Sequence, residues 1–102
     1  MALSSKPLLV LGGGLIGLSI AHALAKQGKK VEVFSRNRNE AAGFVAAGML
    51  APHAEGLSHK LLGLGRLSLF RIPQWIQGIE QDSGMNCGLI KCGIVVPFKT
   101  QK

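Results

Sequence analysis

The 102 residues carry 12 Lys and Arg against five Asp and Glu, for a formal net charge of +7, and 47% are hydrophobic. That apolar share, with a mean hydropathy of +0.30, excludes a disordered chain, and the length sets one small domain with a thin core. The cations are scattered in runs no longer than two and only five aromatics accompany them, so the basic stripe of a nucleic-acid binder is not expected. Cys87 and Cys92 do not make a disulfide framework and are expected to be reduced. No apolar run approaches the ~18 residues of a membrane span, and no cleavage pattern follows Leu8 to Leu11. A soluble, cytoplasmic chain with no membrane attachment is expected.

Pro7-Leu-Leu-Val-Leu11 is a short apolar run of the kind that forms a strand buried on both faces. Gly12 to Gly14 turn the chain. Leu15, Ile16, Ile20, Ala23 and Leu24 then recur at helical spacing. Gly28 after Lys26-Gln27 fits a glycine C-cap with a cation in the last turn. Lys30-Val-Glu-Val-Phe34 predicts a second strand, and the three elements together make a parallel βαβ unit.

A polar loop, Asn37 to Glu40, leads into the small-residue stretch Ala41 to Ala51, closed by Pro52. Leu57 to Gln81 reads as helix, with Leu61, Leu62, Leu69, Trp75, Ile76 and Ile79 as its apolar face. Pro73 predicts a kink or break within it, and Asp82-Ser-Gly84 predicts its end. Cys87 to Phe98, rich in Ile and Val, predicts one or two strands.

Gly12-x-Gly14-x-x-Gly17 gains weight from its context, after a buried strand and at the start of a helix. Gly12 permits the tight turn, Gly14 lets a pyrophosphate approach the backbone, and Gly17 lets helix and strand pack closely. Free N–H groups at the helix start then face the anion. At the end of the second strand, an acid would bind a ribose diol; here Ser35 and Arg36 stand instead. Ser35 can bond one ribose hydroxyl, more weakly than a carboxylate. The Ser-Arg pair also suits a 2′-phosphate, so NADP and FAD both remain open on this feature. Ala46-Ala-Gly-Met-Leu-Ala-Pro52 favours a flavin, because small side chains let backbone donors reach a flat ring.

GGGLIGLSIAHALAKQG, VEVFSR and AAGMLAPHAEGL together resemble the glycine oxidases of thiamin biosynthesis, within the FAD-dependent D-amino-acid oxidase superfamily. The likeness runs over nearly the whole chain, and LSLFRIPQWIQGIEQDSGMNCGLIKCGIVV resembles the family's next segment. It implies an α/β fold: a Rossmann-like βαβ FAD-binding unit over residues 1–52, then a connecting helix and the first strand or strands of a substrate domain over 53–102. As it stands, such a fold is incomplete. The resemblance places Gly12, Gly14, Leu15, Ile16 and Gly17 along the pyrophosphate and Ser35 and Arg36 beside the ribose. Ala42 and Gly43 would approach the phosphate or ribityl chain, although the family more often has Thr or Ser there. Ala47, Gly48 and Met49 would meet the flavin ring. His53 and Glu55 take no catalytic role, and no catalytic residue or metal is assigned.

The implied activity is oxidative deamination of a small amino acid, the flavin accepting the hydride and oxygen then accepting the electrons. The resemblance implies that the arginine binding the substrate carboxylate comes from a later part of such enzymes. The expectation is therefore an inactive fragment, whose open sheet invites a second chain or self-association. A small NADP-binding reductase module and a non-catalytic subunit are the alternatives.

Overall fold

The computed structural model describes residues 6–99. The chain divides into two compact units, residues 1–48 and 49–102. In the first, β1 (Leu8–Leu11), α1 (Leu15–Lys26) and β2 (Val31–Phe34) follow in order. β1 and β2 pair in parallel, in register from Leu8 opposite Val31 to Leu11 opposite Phe34. The ladder runs one residue further at each end. The Leu8 N–H donates to the Lys30 carbonyl at 2.9 Å, and the Gly12 N–H donates to the Phe34 carbonyl at 2.8 Å. The second bond fixes the start of the glycine turn against the end of β2.

α1 closes as its sequence dictates. Lys26 lies in its last turn, the Gly28 N–H donates to the Ala25 carbonyl at 2.9 Å, and Gly28 adopts φ +75°, a left-handed exit that glycine makes without a Cβ penalty. Gly17, Ala21 and Leu24 are half-buried, at the i, i+4, i+7 spacing of one helix face. Leu15, Ile16 and Ile20, which belong to the apolar helical spacing, are exposed, Ile16 at 77%. The helix is thus apolar on more than one side, the pattern of an element enclosed by neighbours. β1 tells the same story: Leu11 is 83% exposed, and no hydrophobic side chain among the described residues is buried. A two-stranded sheet is marginal by itself, and both of its edges here are open.

A consequence is measurable. The isolated chain is expected to bind a hydrophobic dye and to associate at micromolar concentration, as open strand edges and exposed apolar faces do. Sedimentation of a single, dye-silent monomer at about 50 µM would contradict this.

In the second unit α2 (His59–Ser83) is a 25-residue helix. It passes through Pro73 without the predicted break. Proline removes one backbone donor and crowds the preceding turn, but the ladder on either side is long enough to carry the helix across. The predicted stop is where it was expected. Gly84 takes φ +69° and its N–H donates to the Glu80 carbonyl at 2.9 Å. Of the predicted apolar face, Leu62, Ile76 and Ile79 are half-buried, whereas Leu61, Leu69 and Trp75 are exposed. Pro52 is the one buried residue among those described. It sits on Gly65, where an added Cβ would lie 2.8 Å from the Pro52 Cβ and 3.4 Å from the Leu57 Cδ1.

The strand or strands expected over Cys87 to Phe98 do not form; residues 85–99 carry no regular structure. A strand is stabilised by a laddered neighbour, and among the described residues none lies beside this segment. Side chains set its first turns instead. The Glu80 carboxylate accepts from the Cys87 N–H at 2.7 Å, and Asn86 Oδ1 accepts from the Gly88 N–H at 2.6 Å. Both cysteines are free and exposed. Among the described residues no helix is long and apolar enough to cross a membrane.

A candidate nucleotide-binding site

The glycine turn between β1 and α1 is shaped by sterics that only glycine satisfies. Gly12 has φ +112°, a region L side chains rarely adopt. A Cβ on Gly17 would overlap the Gly12 carbonyl oxygen and stand 3.5 Å from the Val10 side chain. Gly17 is therefore the close contact between α1 and the end of β1. A Cβ on Gly13 would lie 2.8 Å from both Cβ and Oγ of Ser35, so the turn also packs against the end of β2. At Gly14 the nearest protein atom to an added Cβ is the Ala41 Cβ, at 3.9 Å. The space in front of Gly14 is left open, and the loop leading to Ala42 borders it.

Gly14 is the N-cap of α1, with extended backbone, no side-chain cap and no acid in the first turn. The Leu18 N–H is the donor that reaches the Gly14 carbonyl, at 3.0 Å. The N–H groups ahead of it lie outside the reach of an α-helical ladder, and with the helix dipole they favour an anion. Beside the turn, a cleft of about 310 Å³ is lined by Gly13, Leu18, Val33, Ser35 and Arg38. That is near the lower bound of ligand-pocket volumes. It lies at the carboxyl ends of two parallel strands, the usual place for a ligand in an open α/β sheet.

Of the residues singled out from sequence, the turn brings together Gly12, Gly14, Leu15, Ile16 and Gly17, and the cleft adds Ser35. Arg36 is turned to Glu40: its Nε donates to Glu40 Oε2 at 3.0 Å, and its Nη2 donates to the same oxygen. Ala42 and Gly43 fall in a single 3₁₀ turn, Ala42–Phe44. Ala47 and Gly48 follow in irregular, exposed chain, with Gly48 at φ +79°. Met49 opens the second unit and is itself exposed. Leu18, Val33 and Arg38 were not singled out as site residues. For Leu18 and Val33 the signal was available, since each lies near an element end that faces the turn.

The donor set, the open approach to Gly14 and the cleft at the strand end fit the adenosine diphosphate half of a dinucleotide. The match to known proteins specifies which class. The model of the FAD dependent oxidoreductase family matches residues 8–102. The chain belongs to the FAD-dependent oxidoreductase family. Among its relatives is the bifunctional protein ThiO/ThiG of Synechocystis sp., 41% identical over 97 residues that cover 92% of this chain. The glycine oxidase of Bacillus licheniformis is 54% identical over 48 residues, 46% of this chain. A tRNA 5-methylaminomethyl-2-thiouridine biosynthesis bifunctional protein, MnmC, of Paracidovorax citrulli is 36% identical over 91 residues, 85% of this chain. The chain spans 15% of the length of the first of these, 13% of the second and 14% of the third. No solved structure matches it significantly.

Proposed function

We propose that this chain is the FAD-binding opening part of a flavin-dependent amino-acid oxidase that acts on glycine or a similarly small amino acid, in thiamin biosynthesis. The observation that carries the reading is the glycine turn, where Gly17 touches the Gly12 carbonyl and Gly14 stays open at an uncapped helix start. The likeness to a glycine oxidase and to ThiO/ThiG proteins supports the substrate class.

In this reading residues 1–52 contribute to the FAD-binding domain and 53–102 lead into the substrate domain. The backbone donors of Leu15, Ile16 and Gly17 hold the pyrophosphate, and Ser35 hydrogen-bonds a ribose hydroxyl. Ala42 and Gly43 border the phosphate or ribityl chain through their backbone. Ala47, Gly48 and Met49 face the flavin ring, and their small size lets main-chain N–H groups approach it. When bound, the flavin supplies the hydride acceptor. This chain's residues bind and orient the cofactor. The setting is a soluble, cytoplasmic enzyme.

A second reading, an NADP-binding module, is favoured by one observation: the cleft pairs Ser35 with a cation, Arg38. NADPH binding tighter than FAD binding would favour it. The first reading is tested by activity. The chain alone is expected to give no hydrogen peroxide from glycine. A chimera in which the 48 matching residues of this chain replace their counterpart in the Bacillus licheniformis glycine oxidase is expected to keep bound flavin and glycine oxidation. Peroxide from the chain alone contradicts the fragment reading, and a flavin-free, folded chimera contradicts the cofactor.

A further inference from the structure

We propose that Arg38, rather than Arg36, is the arginine that meets the adenosine in the cleft, and that Glu40 holds Arg36 away from it. The inference rests on the reading of the cleft as an adenosine site, and assigns within it a residue that the end-of-strand pattern passes over. The local chain explains the division. Asn37 caps a 3₁₀ turn, Arg38–Glu40, with its Oδ1 accepting from the Asn39 N–H at 3.0 Å. The Glu40 N–H donates to the Asn37 carbonyl at 3.2 Å, and the Ala41 N–H to the Arg38 carbonyl at 3.2 Å. This turn brings Glu40 back to residue i−4, where its carboxylate takes both Nε and Nη2 of Arg36. The pair occupies one edge of the Arg36 guanidinium, while the Arg36 side chain stays 88% exposed. The same turn sets Arg38 into the wall of the cleft with Ser35, Val33, Leu18 and Gly13.

Arg38 is thus the cation that a ligand in the cleft encounters. A planar guanidinium can stack on an adenine ring while bonding to sugar or phosphate oxygens. Glu40 acquires a second consequence. By engaging Arg36 it lowers the positive charge at the ribose end, and so disfavours a 2′-phosphate relative to a free hydroxyl. Glu40 is a positioning residue, acting only through Arg36.

The test titrates the full chain and its variants with 5′-ADP and 2′,5′-ADP by calorimetry, with far-UV circular dichroism to confirm the fold of each variant. Arg38→Gln is expected to weaken 5′-ADP binding about tenfold, and Arg36→Gln to change it less than about twofold. Arg38→Lys, which keeps the charge and loses the plane, is expected to fall between wild type and Arg38→Gln. Glu40→Gln is expected to shift the preference toward 2′,5′-ADP about fivefold. A larger loss from Arg36→Gln than from Arg38→Gln overturns the assignment while leaving the adenosine site standing. An unchanged preference in Glu40→Gln overturns the role of that residue. If the wild-type chain binds neither nucleotide, the adenosine reading falls and this inference falls with it.

Discussion

Gly17→Val is expected to abolish flavin binding and to unfold the strand–helix–strand unit. The first β-carbon added at this position already overlaps the carbonyl oxygen of Gly12. That oxygen cannot move aside cheaply. Gly12 is held at φ +112°, and its N–H is bonded to the Phe34 carbonyl at 2.8 Å. Relief must come from lifting α1 off β1, the contact on which Gly17, Ala21 and Leu24 are half-buried. Overpacking of this kind costs about 1–3 kcal/mol, and more where backbone is the obstacle. A unit with no fully buried hydrophobic side chain among its described residues has little reserve against that cost. Circular dichroism melts and flavin fluorescence quenching measure both effects. A valine variant with an unchanged melting temperature would show that α1 does not depend on this contact.

Ser35→Glu is expected to tighten FAD binding about tenfold, the effect of replacing a neutral hydrogen bond to the ribose by a charge-assisted one. Ser35 lies at the end of β2 and lines the cleft, where a carboxylate would accept from both ribose hydroxyls. Its new charge also sits on the same cleft wall as Arg38, which favours the ionised form. The same substitution is expected to weaken 2′,5′-ADP binding by a similar factor, because a carboxylate repels a 2′-phosphate. Fluorescence titration of the variant with each ligand checks both directions. Equal affinities in wild type and variant would show that the ribose does not lie against residue 35.

The parts of the fold legible in the sequence are those set by neighbours a few residues away. Leu8 to Leu11, the glycine turn and Gly28 announce β1, α1 and its end because apolar runs, tight turns and left-handed caps are local matters. The exit of α2 at Gly84 was legible for the same reason. Pro73 does not break the helix: its penalty is local, whereas a 25-residue helix is sustained by the ladder on both sides. Cys87 to Phe98 has strand composition but no strand, since pairing is a property of two segments and among the described residues none pairs with it. At the site, the spacing of Gly12, Gly14 and Gly17 announced the tight turn and the close approach of helix to strand. Arg38 was passed over because its direction depends on the Asn37 cap and on which arginine Glu40 takes, neither of which a residue pattern encodes.

FAD is proposed to be held by the glycine turn and the small-residue stretch of this chain. The most direct test is the visible absorption spectrum of the purified chain before and after addition of FAD, with unbound flavin removed by gel filtration. A flavin band that co-elutes with the protein and shifts from the free-flavin spectrum is expected. Protein that elutes without flavin after incubation with excess FAD would contradict it.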